Sequence, residues 1–137
     1  MSKKKGFHFS NFKTNENSET EGVWVDYASG FRIKIARIGC PAFKEFMIKR
    51  GKPHQRSIDS GTIGNEIAEE LMKDAIAETI IKDWEGLLDD EDKEIPYSKE
   101  DARKMLDVAH DFYDEIYELA KQREHFKVNK IEGTVGN

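Results

Sequence analysis

The chain has 137 residues, of which 37% are hydrophobic and 36% charged, so it fits one domain with a small core under a densely charged surface. No apolar run approaches the ~20 residues that a membrane-spanning helix needs, and the lysines at positions 3–5 are not followed by the apolar segment of a secretion signal. The single cysteine, Cys40, excludes an internal disulfide and a zinc finger. We therefore expect an intracellular protein.

The net charge of −5 is distributed unevenly along the chain. Residues 1–56 carry 12 Lys and Arg against 5 Asp and Glu, a net +7, whereas residues 57–137 carry 10 against 22, a net −12. Such a split is compatible with a basic region for nucleic acid, with an acidic solubilising face, or with two halves that attract each other. Composition alone leaves these alternatives open.

Residues 1–21 are mostly polar and are predicted to form a flexible N-terminal arm. A β-hairpin is predicted over residues 22–38, where β-branched and aromatic residues precede a short turn containing Gly30. After the turn, apolar and basic residues alternate. This alternation predicts a buried face with Phe31, Ile33 and Ile35 and an opposite, cationic face with Arg32 and Lys34.

Three helices are predicted after the hairpin, over residues 41–50, 65–87 and 99–124, from apolar residues at three- and four-residue spacing. Ser98 is the expected N-cap of the last helix, which is either continuous or broken near His110. Residues 127–137 are predicted to be a flexible tail. The sequence thus predicts a single α+β domain over residues 22–126, in which a small N-terminal β-hairpin packs on a mostly α-helical body.

No arrangement of residues indicates catalysis or metal binding. His110 and Asp114 lie four apart on one helical face, but a metal there lacks further ligands, so an ordinary surface pair is expected. The acidic stretch 89–94 lacks the glycine that an EF-hand loop needs at its sixth position. We expect a protein that is not an enzyme and that uses no cofactor and no metal.

The cationic face of the hairpin supplies the alternative function. Arg32, Lys34 and Arg37 lie close in sequence to aromatic residues, a combination typical of surfaces that bind single-stranded nucleic acid. Three positive charges give only a modest salt-dependent affinity, and the acidic half of the chain repels phosphate. A small nucleic-acid-binding protein therefore remains the alternative interpretation, not the preferred one.

The order of the segments resembles that of tail assembly chaperones of long-tailed bacteriophages. The resemblance covers roughly residues 22–126, from the Phe31-Arg-Ile-Lys-Ile-Ala-Arg-Ile-Gly39 segment to the final helix. Its most specific part is Asp83-Trp84-Glu85-Gly86, followed after an acidic turn by Ile95-Pro96-Tyr97-Ser98. The fold that we expect from the residues agrees with this resemblance.

The resemblance implies a non-enzymatic protein of the infected host's cytoplasm. Such chaperones coat the long, helical tape measure protein, keep it soluble, help to recruit the tail tube protein and are left out of the finished virion. A structural virion component is a further alternative. Self-association is left open, and no membrane partner is expected.

Aromatic residues near the family-like segments are the candidates for contact with the partner, because aromatic side chains are enriched at binding hot spots. These candidates are Trp84, Tyr97, Phe112, Tyr113 and Tyr117. Packing in the core is the competing interpretation, and for Trp84 it is the favoured one.

Overall fold

A computed structural model of the chain describes residues 5–127. The helices are α1 Glu16–Glu21, α2 Pro41–Gly51, α3 Gln55–Asp59, α4 Asn65–Ala75, α5 Lys99–Val108 and α6 His110–Lys121, and the strands are β1 Val23–Ala28, β2 Phe31–Ile35 and β3 Ile81–Glu85. The fold is α+β, as the sequence predicts, with a small antiparallel sheet on a mostly helical body. Within the described part of the chain, no helix has the length and apolar character that crossing a membrane requires.

The sheet has the order β1-β2-β3, and both neighbours of the central β2 are antiparallel to it. β1 and β2 form the predicted hairpin, in which Ser29 and Gly30 both have positive φ, as a type I′ turn requires. Ile33 and Ile35 are fully buried on the face that packs on the helices. The predicted β-hairpin and its buried apolar face are confirmed.

The prediction of one helix over residues 65–87 is wrong beyond Ile80. A π-helical turn at Ile76–Ile80 follows α4, and the chain then continues directly into β3, which pairs with β2. Ile80 and Trp84 are four residues apart, a spacing that fits one face of a helix and equally one face of a strand. The apolar pattern therefore did not reveal where the helix ends.

The last predicted helix, residues 99–124, is two helices. α5 begins after Ser98, whose hydroxyl oxygen accepts a hydrogen bond from the N–H of Asp101 at 3.0 Å, which confirms the predicted N-cap. Ala109 has an extended backbone, with φ −117° and ψ 98°, and separates α5 from α6. Of the two alternatives that the sequence leaves open, the structure shows the broken helix, and α6 ends at Lys121.

Part of the predicted N-terminal arm is docked against the body. Asn15 caps α1 by accepting a hydrogen bond from the N–H of Ser18 at 3.0 Å, and its own N–H donates to the carbonyl of Phe126 at 2.9 Å. The N–H of Arg37 donates to the carbonyl of Glu19 at 2.8 Å. Residues 14–21 therefore have regular secondary structure and contacts with the body, which the sequence pattern did not predict. Of the predicted tail, residue 127 forms a β-bridge with Thr14, and residues 128–137 lie outside the described residues.

The hydrophobic core lies between the sheet and the helices α2, α4, α5 and α6. Its largest fully buried side chains are those of Ile33, Ile35, Cys40, Ile76, Ile80, Ile81, Leu106, Ile116 and Phe126. Cys40 precedes α2 and is only 1% exposed, so its thiol acts as a small apolar core group.

An ion-pair cluster joins α4 to α5. The Arg103 guanidinium contacts a carboxylate oxygen of Asp74 at 2.7 Å and one of Asp107 at 2.8 Å, and it also pairs with Glu70. Lys73 reaches Asp107 at 3.3 Å. The hydrogen bond from Arg103 lowers the pKa of the Asp107 carboxyl below its ordinary value, and the hydrogen bond from Lys73 adds to this effect. Partial desolvation opposes the shift without cancelling it.

Candidate functional site

A groove of about 570 Å³ lies between the hairpin and α6. Its floor contains Ile33 and Ile116, which are 0% and 2% exposed. Partly exposed apolar and aromatic side chains form the walls: Tyr27, Phe31, Leu87, Phe112 and Leu119. The size and the apolar lining are those of a site that holds part of another molecule.

Three carboxylates of α6, those of Asp111, Asp114 and Glu115, form the rim of this groove, which we call the acid-rimmed groove. Among the side chains that the structure describes, none that is basic pairs with Asp111 or Glu115, whereas Asp114 contacts His110 at 3.6 Å. The unneutralised carboxylates give the apolar groove a negative potential.

Tyr27 reports this electrostatic environment. Partial desolvation, followed by the nearby carboxylates of Glu115 and Asp111, raises the pKa of the Tyr27 hydroxyl. The hydroxyl thus remains a neutral hydrogen-bond donor next to the acidic rim. The hydroxyl donates to Glu115, so a cationic group of a partner is the chemical complement of this edge.

Local sequence explains how the hairpin reaches the groove. In β2, Phe31 and Ile33 share the inner face of the strand, and Ile33 extends to the floor of the groove. A β-bulge brings in Tyr27: Asp26 pairs with Arg32, but Ala28 pairs with Phe31, so Tyr27 is the additional residue. The ring centroids of Tyr27 and Phe31 are 6.0 Å apart, in an edge-on arrangement.

The helical side of the groove follows from spacing along α6. Phe112, Ile116 and Leu119 recur at four and three residues, which places them on one face of the helix. Leu87 completes the wall from the segment after β3, just beyond Gly86, whose φ of +77° turns the chain. An added Cβ on Gly86 would lie 2.2 Å from the carbonyl oxygen of Gly30. Only glycine at this position allows the chain after β3 to lie this close to the hairpin turn.

The five predicted partner-binding residues lie in three different places. Trp84 is 4% exposed, its indole N–H donates to the carbonyl of Ile95 at 2.7 Å, and its ring meets that of Tyr97 edge-on at 5.1 Å. The Tyr97 hydroxyl donates to the carbonyl of Ile81 at 2.9 Å. Trp84 and Tyr97 thus link β3 to the segment at residues 95–97, which is a structural role in the core.

The remaining three predicted residues are on α6. Phe112 lines the acid-rimmed groove. The rings of Tyr113 and Tyr117 meet edge-on, with their centroids 6.2 Å apart. The Lys73 ammonium lies 5.8 Å from the centroid of the Tyr113 ring. Phe112 is thus the predicted residue that belongs to the groove, and sequence reasoning missed Tyr27, Phe31, Leu87 and Leu119.

The cationic face of the hairpin is largely engaged within the molecule. Arg32 pairs with Asp26 at 2.8 Å and with Glu85 at 3.3 Å, and its guanidinium lies 5.0 Å from the Trp24 ring centroid. Arg37 contacts Glu19 at 3.5 Å. Phosphate binding would have to displace these internal carboxylates, so the arrangement disfavours the nucleic-acid alternative.

No group of three or more metal-ligating side chains is found among residues 5–127. His110 and Asp114 are an exposed pair one turn apart on α6, as the sequence predicts. The described site is an apolar groove with carboxylates at its edge.

Fold and site define a small α+β protein with an acid-rimmed apolar groove between its sheet and its last helix. A protein-family model described as YdaY prophage protein matches residues 38–137, which is most of the chain. The chain therefore belongs to the YdaY prophage protein family and is phage-derived. No curated protein and no solved structure matches it. The family match begins after β2, so it includes the α6 side of the groove but not the residues that the hairpin contributes.

Proposed function

We propose that the chain is a phage tail assembly chaperone, which binds the tape measure protein in the host cytoplasm and helps to recruit tail tube subunits. The acid-rimmed groove is the observation that carries this proposal. Membership of a prophage protein family and the resemblance of residues 22–126 to tail assembly chaperones support it. The role is stoichiometric binding without a catalytic step, and the chaperone is not retained in the virion.

The groove suits one turn or more of an amphipathic helix. Its apolar floor accepts an apolar stripe at i, i+3 and i+4, and the carboxylates of Asp111 and Glu115 complement lysines or arginines that flank such a stripe. A long helical client rich in such segments offers many equivalent sites. The acidic helices outside the groove keep the complex in solution because they add net negative charge.

The proposal is tested by co-expressing the chain with the tape measure protein of the same phage. We expect the tape measure protein to become soluble and to co-purify with the chain. A tape measure protein that stays insoluble and forms no complex overturns the proposal. Detection of the chain in purified particles would instead favour the structural virion alternative.

Matched variants locate the contact. Glu115→Lys reverses a charge on the rim, and Glu118→Lys makes the same change one turn along α6, outside the groove. Both side chains are exposed, so neither change disturbs the core. We expect Glu115→Lys to reduce the co-purified tape measure protein at least several-fold and Glu118→Lys to leave it near the wild-type amount. Equal effects of the two variants would place the binding surface elsewhere.

A further inference from the structure

The N-terminal segment Lys5–Phe12, which we call the aromatic arm, presents large apolar rings to solvent. Phe7 is 65% exposed and Phe9 is 73% exposed. Both rings meet Phe12, at centroid distances of 5.2 Å and 6.1 Å, so the aromatic side chains form one cluster. An exposed apolar cluster of this size is typical of a surface that another molecule covers.

The aromatic arm is also basic. Lys5 is exposed, and the sequence places Lys3 and Lys4 directly before it. Aromatic rings beside consecutive lysines are the chemical complement of an apolar groove edged by carboxylates. The acid-rimmed groove is such a surface, and its rim residues Asp111 and Glu115 have no basic partner within the described range.

The arm does not occupy the groove of its own chain. The residues that line the groove begin at Tyr27, and none belongs to residues 5–26. Thr14, which follows the arm, pairs with Lys127 beyond the C-terminal end of α6. A second copy of the chain can supply the arm without any rearrangement of the body.

We propose that the aromatic arm of one copy docks in the acid-rimmed groove of a second copy. The phenyl rings cover the apolar floor, and the lysine lies beside the carboxylates. When two copies exchange arms, both grooves are filled by the same contact and the assembly closes as a dimer. In the free protein the arm then covers the apolar groove until a client helix displaces it. This competition with a client rests on the proposed function, whereas the dimer itself does not.

Sedimentation equilibrium of the full chain without any client tests the dimer. We expect a concentration-dependent dimer at low salt. The double variant Phe7→Ser and Phe9→Ser should weaken dimerisation at least tenfold, because the rings no longer cover the groove. Ile48→Ser is the matched control: Ile48 is 65% exposed on α2 and belongs neither to the arm nor to the residues that line the groove, so its replacement should leave the dimer intact.

Charge reversal tests the same contact in a second way. Glu115→Lys should weaken the dimer, and reversal of the three lysines at positions 3–5 to glutamate in the same chain should restore it. Because exposed charges are screened by salt, raising the salt concentration should weaken both the wild-type dimer and the charge-exchanged dimer.

Three results would overturn the proposal: a monomer at every concentration, a dimer indifferent to the loss of both phenylalanines, or an equal loss in the Ile48→Ser control. A monomer whose groove is protected by its own arm would also contradict the exchange between copies. These outcomes are separate from the client test, since the tape measure protein can bind a monomer and a dimer can form in a protein that has no such client.

Discussion

Replacement of Trp84 by phenylalanine tests the role that the structure gives to the most specific part of the sequence pattern. Trp84 lies on β3 with 4% of its surface exposed and donates its indole N–H to the carbonyl of Ile95 at 2.7 Å. Phenylalanine keeps an aromatic ring in the core but cannot donate this hydrogen bond. The change also removes the part of the indole that fills the space next to Tyr97.

The expected cost is the sum of two effects. Loss of two buried carbon atoms removes about 1.6 kcal/mol, at about 0.8 kcal/mol for each buried methylene-sized group. Leaving the Ile95 carbonyl without its donor adds about 1–2 kcal/mol. The free energy of unfolding should thus fall by about 3 kcal/mol, a large part of the roughly 5–15 kcal/mol that keeps a domain folded.

Urea unfolding followed by far-UV circular dichroism measures this loss. With a slope of about 1–3 kcal/mol per molar urea for a small protein, the midpoint should fall by at least about 1 M. Trp24→Phe is the matched control, since Trp24 is half-buried on the outer face of the hairpin and contacts Arg32 only through its ring. Trp24→Phe should lower the free energy of unfolding by no more than about 0.5–1 kcal/mol, the contribution of an exposed cation–π pair. Equal losses in the two variants would refute the assignment of Trp84 to the core.

Three further changes test other parts of the fold. Gly86→Ala should lower the melting temperature clearly more than Gly61→Ala. Both glycines have positive φ, but only at Gly86 would an added Cβ collide, at 2.2 Å, with the carbonyl oxygen of Gly30. Similar melting temperatures of the two variants would contradict this close approach. Asp107→Asn should lower stability at pH 7. The pKa of the Asp107 carboxyl is lowered in the folded protein, so its ion pairs stabilise the fold fully above the unfolded-state pKa of about 3.9. This stabilisation is lost as the pH falls through the folded-state pKa. The difference in stability between the wild type and Asp107→Asn should therefore shrink below about pH 4, as measured by urea titrations at several pH values. Ser98→Ala should cost about 1 kcal/mol by removing the N-cap of α5, whereas Ser98→Asp should retain most of the stability.

The hairpin and the cap of α5 could be predicted from the sequence because each depends on neighbours along the chain. Alternation fixes which side chains of β2 share a face, Gly30 permits the positive φ of the turn, and the Ser98 side chain binds an N–H three residues later. Their physical causes are local, and so are their signals.

The third strand could not be predicted because its cause is not local. Residues 81–85 become a strand by pairing with β2, a partner about fifty residues earlier in the chain. Ile81 and Trp84 are buried between the sheet and the helices, and a segment buried in this way does not show a pattern that separates helix from strand. The burial of Trp84 and the anchoring of Tyr97 follow from the same pairing.

The sequence by itself determined the α+β class, the hairpin with its apolar and cationic faces, the helical character of the segments that form α2, α4, α5 and α6, and the unequal distribution of charge. The tertiary structure decided where that charge acts and which apolar residues remain exposed. It neutralises Arg32 with Asp26 and Glu85, and it leaves Asp111 and Glu115 beside an apolar groove. The reason is physical: a groove exists only where two elements distant in sequence pack side by side without filling the space between them, and no local pattern in either element encodes that space.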